Sequence, residues 1–167
     1  MPAPPTPNMT SVRLTILDAI EAFFINQVTV SLPTDDPYGV TFSTVALGPL
    51  GKWDQRKKFS LGIAVGPETE KFSMPYIMCW MTVNIEFRAT VNRDDDAPGI
   101  LIEQLLTVVK RAMTADRTWG GIAIDTKVKG SEIDLVTYAD RSAVGVCVCE
   151  VQYRYSHLDP RNPLPDM

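Results

Sequence analysis

The clearest pattern in the chain runs from Tyr76 through Val91, YIMCWMTVNIEFRATV, where apolar residues alternate without a break. Ile77, Cys79, Met81, Val83, Ile85, Phe87, Ala89 and Val91 take one phase. The other phase opens apolar with Met78 and Trp80, then turns polar with Thr82, Asn84, Glu86, Arg88, Thr90 and Asn92. A period of two sustained this long predicts a β-strand with one face on a core, because successive side chains leave a strand on opposite sides. The run is far longer than the usual strand of about five or six residues. Its second half leaves one face open to water or to a partner.

The remaining chain falls into shorter units. Residues 1–9, with four prolines before Asn8, predict an extended arm. Val12, Ile16, Leu17, Ile20, Phe23 and Phe24 recur at helical spacing behind Thr10 or Ser11 as a cap, with Arg13, Asp18 and Glu21 toward the other side. Val28, Val30 and Leu32 read as a short strand stopped by Pro33, and Thr34 to Pro37 carry turn chemistry. Tyr38 to Leu47 reads equally as strand or extended loop. Phe59, Leu61, Ile63 and Val65 form a second alternating strand. Gly66 to Glu70 is read as the turn of a wide antiparallel hairpin leading into the long strand.

Asp94, Asp95 and Asp96 ahead of Pro98 announce a second helix, since acids complement the free N–H groups and dipole of a helix start. Ile100, Leu101, Leu105, Val108, Val109 and Ala112 are its expected buried face, and Thr118 to Gly121 break it. Strand-like runs follow at Ile122–Val128, Ile133–Tyr138 and Ala143–Tyr155. The last is apolar in both phases up to Cys149, as a central strand is. From His157 the chain holds three prolines, and residues 158–167 are expected as a second extended arm. Helix, strands, helix, strands predicts one α+β domain over 10–157, two helices packed on a mainly antiparallel sheet with a long projecting hairpin.

Composition narrows the function. The net charge of −4 argues against nucleic-acid binding, which calls for a basic balance. No apolar run approaches the roughly 18 residues of a membrane span, and the N-terminus has no signal-peptide pattern. Three cysteines in strand-like phases suggest reduced thiols and a cytoplasmic product.

Candidate chemistry is thin. His157 lies in a proline-rich terminus with nothing evident in the sequence to orient it, so a Ser–His or Cys–His pair is not expected. Cys79, Cys147 and Cys149 fall where small buried hydrophobes belong, and their spacing is not that of metal-binding cysteines. Asp94 to Asp96 are better read as a helix cap than as cation ligands. Gly120-Gly121 lacks the context of a phosphate loop. No catalytic residue, metal ligand or cofactor site is assigned.

What remains is a set of interface candidates. Trp53 sits in a basic loop with Lys52, Arg56, Lys57 and Lys58, suited to an acidic protein surface. Glu86 and Arg88 lie on the open face of the long strand, and Gln152 and Arg154 near the end of the last; a solvated face explains their polarity but not the length of the strand.

The order of these pieces resembles one family. An amphipathic helix precedes a hairpin ending in MTVNIEFRATVN, then an Asp-rich cap, the helix ILIEQLLTVVKRAM, the stretch DRTWGGIAIDTKVKG and a final strand VCVCEVQYRYSH. Over residues 10–157 this resembles the tail terminator, or tail completion, proteins of long-tailed bacteriophages. The resemblance rests on element order and local flavour, not on a diagnostic motif. It implies a tail-tube-like fold and a sixfold ring of copies that caps the tail tube, stops its polymerisation and presents the surface that docks the head connector. It further implies tail-tube and connector proteins as partners, a channel that DNA passes without specific binding, no membrane, and a place in the virion after assembly in the host cytoplasm. The rival expectations are another neck component, such as a head–tail stopper or minor tube-like protein, and, from a different class, a small cytosolic enzyme or ligand-binding domain.

Overall fold

The computed structural model describes residues 11–26, 40–50, 58–90, 97–137 and 141–163. The expected strand around Val28 to Leu32, the turn at 34–37 and the acids Asp94 to Asp96 lie outside the described residues.

Two helices and a mainly antiparallel six-stranded sheet make an α+β fold. Helix α1 spans Val12–Asn26 and begins as expected, the Ser11 hydroxyl accepting the Leu14 N–H at 3.2 Å. Its stripe of Val12, Ile16, Leu17, Ile20 and Phe24 is buried, while Phe23 is half-buried with its ring edge-on to Phe24 and Trp119.

Strand β1 is short, Thr44–Leu47, and pairs parallel with the start of β2, Phe59–Ser73. β2 pairs antiparallel with β3, Tyr76–Thr90, which is the alternating run of the sequence. Every second residue of β3 from Cys79 to Ala89 is fully buried. β4, Asp125–Thr137, and β5, Ser142–Ser156, complete the order β1-β2-β3-β5-β4. β5 lies between β3 and β4, as its two-phase apolar run predicts.

Four expectations are corrected. Gly66 to Glu70 is no turn: β2 runs on to Ser73, and the register slips by one residue between Val65 and Glu68. The hairpin instead closes tightly at Met74-Pro75, joined by a cis peptide bond. The two runs at 122–128 and 133–138 are largely one strand, β4, interrupted by bulges at Val128/Gly130 and Ile133/Leu135. Asp159–Pro163, expected as a free arm, forms strand β6 and pairs with the end of β5.

The fourth correction concerns helix α2, Pro98–Ala115. Ala97 occupies its N-cap and makes no side-chain capping bond. Ile102, not Ile100, points into the core, because 102, 105, 106, 109 and 113 share the inward stripe, and Ile100 is left 54% exposed.

Both helices pack on one face of the sheet, over Ile63, Met81, Val83, Ile85, Phe87, Cys147, Cys149 and Val151. Beyond α2, Asp116 folds the chain back by accepting the N–H groups of Thr118 and Gly120 at 3.0 and 2.8 Å. Burial works against that carboxylate's charge, but these donors hold its pKa below the usual value. Trp119 is thereby buried, its indole N–H donating to the Thr126 hydroxyl at 2.8 Å.

Candidate interface on the uncovered sheet face

The face of the sheet away from the helices is lined by alternate residues of β3 and β5. In register across the two strands lie Met78 with Arg154, Trp80 with Gln152, Thr82 with Glu150, Asn84 with Val148, Glu86 with Val146, and Arg88 with Val144. All are half-buried. Glu86, Arg88, Gln152 and Arg154 therefore share one face. They form two groups: Glu86 and Gln152 lie six rows apart, roughly 20 Å at the rise of a strand.

Each group is held differently. The Glu86 carboxylate accepts the Leu50 N–H at 3.1 Å, so Gly48 to Leu50 fold over this end of the face. They can do so because Gly62, in register with Glu86, has no side chain; a Cβ there would stand 2.8 Å from the Gly48 carbonyl. At the other end the Arg154 guanidinium lies 5.1 Å from the centre of the Tyr76 ring, a cation–π contact, and the Gln152 amide donates to the Met78 sulfur at 3.4 Å. Trp80 stands in the row of Gln152, and Val144 and Val146 in the rows of Arg88 and Glu86, so Thr82, Asn84, Val148 and Glu150 lie between the two groups. Apolar side chains interleaved with arginines and carboxylates are the make-up of a protein interface.

Lys58 is exposed at the start of β2, its Nζ 5.6 Å from the centre of the Phe59 ring. Trp53, Arg56 and Lys57 lie outside the described residues.

Sequence reasoning missed a polar cluster at the hairpin end of the sheet. The one-residue slip at Gly66-Pro67 puts Glu68 and Glu70 on the helix side, in register with Met81 and Cys79. Glu68 receives the Tyr153 hydroxyl at 2.7 Å and the Arg13 guanidinium at 3.4 Å, and Glu70 receives the Tyr155 hydroxyl at 3.1 Å. These residues, with Ser11 and Pro160, line a hollow of about 140 Å³. Burial, then the charge of Glu68, pushes the Cys79 thiol up to about 11. Burial and the bond to Glu68 raise the Tyr153 phenol, and burial and the bond to Glu70 push Tyr155 up to about 12. Thiol and phenols are thus protonated at neutral pH; the phenols tie β5 to β2 through the two glutamates, and Arg13 joins α1 to the cluster. The signal that could have found the cluster is the glutamate pair two residues apart behind Gly-Pro, opposite the two-apart tyrosines of VQYRY.

His157 is also better placed than its sequence suggests: its Nδ1 lies 2.7 Å from the Pro75 carbonyl and its ring stands edge-on to Phe72. Cys147 and Cys149 are buried with sulfurs 3.9 Å apart, and their mutual hydrogen bond lowers the first thiol's pKa and raises the second's. Among the described residues no three His, Cys, Asp or Glu side chains are grouped to hold a metal ion, and no helix is long and apolar enough to cross a membrane. No protein-family model matches this chain, and no curated protein shows significant similarity to it.

Proposed function

We propose that this chain is a structural virion protein: a ring-forming tail terminator that caps a phage tail tube, stops its growth and offers the head a docking surface. One observation carries the reading. Among the described residues, three strands of 15 residues, β2, β3 and β5, receive helices on one face, and the other face presents Trp80 and three valines interleaved with polar residues. A sheet of that length built for a monomer has no need of a second apolar row on its open side. Sheet faces and edges of this kind serve assembly. The open face carries a surface hollow lined by Gly130, Ser131, Glu132, Val146 and Val148, which suits contact with a neighbour better than enclosure of a small substrate.

Electron microscopy of particles assembled without the protein tests this reading. Overlong tubes without heads are the expected result. Tails of normal length that fail to join heads move the protein to another neck position, and normal virions end the tail assignment.

A further inference from the structure

The hairpin tip is apolar and prominent. Phe72 is 62% exposed, Met74 70% and Leu158 83%, three of the large hydrophobic residues that the described structure leaves to solvent. They form one knob. His157 packs edge-on against Phe72 and reaches the Pro75 carbonyl with both its ring and its own N–H, at 2.7 and 3.3 Å, so the tail residue Leu158 is tied to the turn carrying Met74. A rigid apolar knob loses little conformational freedom on docking, which favours its use as an anchor.

A receptor for it lies at the other end of the same molecule. The outer side of the first turns of α2 carries a hollow of about 470 Å³ lined by Gly99, Ile100, Glu103, Gln104 and Thr107. Ile100, 54% exposed, is the large apolar residue of its lining. The tip precedes Tyr76, the first residue of β3, whereas α2 follows the last, Thr90. α2 runs back along the sheet: the charge of Lys110 acts on Cys147, in the row of Ile85, and just past the helix end Arg117 donates to the Thr126 carbonyl, in the row of Val151 and Met81, so the first turns lie toward the Thr90 end. Knob and hollow are therefore separated by most of the length of β3, about 45 Å.

We infer that the hairpin tip of one copy seats in the α2 hollow of a second copy, joining copies head to tail along the strand direction. Charge supports this partner. Lys71 flanks the knob and Glu103 lines the hollow, both are exposed, and neither takes part in an ion pair among the described residues. Tip against tip brings Lys71 to Lys71, and hollow against hollow brings Glu103 to Glu103; only tip in hollow pairs them. Because the two surfaces differ, the contact is heterologous, and it closes into a ring where the rotation between successive copies returns to the first. It rests on the proposed ring and names the two surfaces that meet around its axis.

Cysteine pairing in the full chain tests the inference. One batch carries Met74→Cys and another Gln104→Cys; the three native cysteines are buried and do not compete. Mixed under mild oxidation, the two variants should yield a disulfide-linked dimer containing one copy of each. Dimers of Met74→Cys alone, in mixtures where the mixed species is absent, overturn the inference, as does no cross-link at all. In sedimentation velocity, Lys71→Glu should weaken association about fivefold, and Lys71→Glu mixed with Glu103→Lys should restore it. A Lys71→Glu protein that associates like wild type speaks against the contact. Rings that persist by microscopy while this cross-link fails leave the ring reading standing; loss of both rejects both.

Discussion

The Tyr153 hydroxyl donates to the Glu68 carboxylate at 2.7 Å across 85 residues of sequence, on the side of the sheet that faces the helices. Tyr153 is almost fully buried and Glu68 also holds Arg13 of α1 at 3.4 Å. The pair exists because β2 contains one residue more than β3 between Val65 and Glu68. Without the bulge, Glu68 and Glu70 would face the open side, and Thr69 and Lys71 would face the helices.

Tyr153→Phe should lower stability by about 1.5–3 kcal/mol, the range for a buried hydrogen bond to a charged acceptor. The change removes one oxygen and leaves packing intact. Denaturant unfolding measures it, and Glu68→Gln should cost less than Tyr153→Phe because an amide oxygen still accepts the phenol. Equal stability of Tyr153→Phe and wild type would mean that solvent replaces this bond.

The same cluster sets an alkaline limit. Cys79 is raised from 9.0 to about 11 and Tyr155 from 10.0 to about 12, with Tyr153 also raised. A group whose folded pKa is raised holds its proton longer in the native state than in the unfolded one. Between the two values the native state binds more protons, so stability falls as pH rises. The contribution is complete below about pH 9 and is lost progressively as pH climbs through 9 to 12. Melting temperatures taken from pH 8 to 11 should decline, and Cys79→Ala should flatten the early part of that decline. A flat profile for wild type would contradict the burial of these groups.

Gly145 of β5 lies opposite Phe87 of β3, and a Cβ on it would stand 2.6 Å from the Phe87 ring. Phe87 is fully buried, flanked on the same face of β3 by the equally buried Ile85 and Ala89. Gly145→Ala should therefore destabilise by about 1–3 kcal/mol through overpacking. Phe87→Leu in the same chain should recover part of the loss, giving a favourable coupling in a double-mutant cycle. Additive effects would show that the ring moves freely.

How much of this was legible in the sequence follows from how local each signal is. The phase of β3, the central place of β5 and the Ser11 cap were readable because each depends on residues next to one another in the chain. The Glu68–Tyr153 cluster was not, since Gly-Pro followed by charged residues looks like a turn unless the partner strand is known to continue past it. Ile100 was misassigned for a related reason: helix phase is fixed only relative to a start, and the start at Pro98 turns 102, not 100, inward. His157 depended on a contact with Pro75, 82 residues away. Of the interface candidates, the alternation placed Glu86 and Arg88 on one face of their strand, whereas the pairing of β3 with β5 was needed to bring Gln152 and Arg154 onto that same face, six rows away.

The two faces of the sheet should respond oppositely to charge, and this tests the division between core and assembly surface. Val83 of β3 is fully buried under the helices, between Val65 and Cys149. Val83→Asp puts a carboxylate there with no cation in register and should cost more than about 4 kcal/mol, enough to prevent cooperative folding. Val146 of β5 lies on the uncovered face between Glu86 and Glu132. Val146→Lys places an ammonium group between two carboxylates, so the monomer should melt within a few degrees of wild type. If the valine row is the middle of an interface between copies, that variant should remain monomeric at concentrations where wild type assembles, as read by light scattering. A folded Val146→Lys protein that assembles normally would remove the open face from the interface and leave the helix side and the sheet edges to make it.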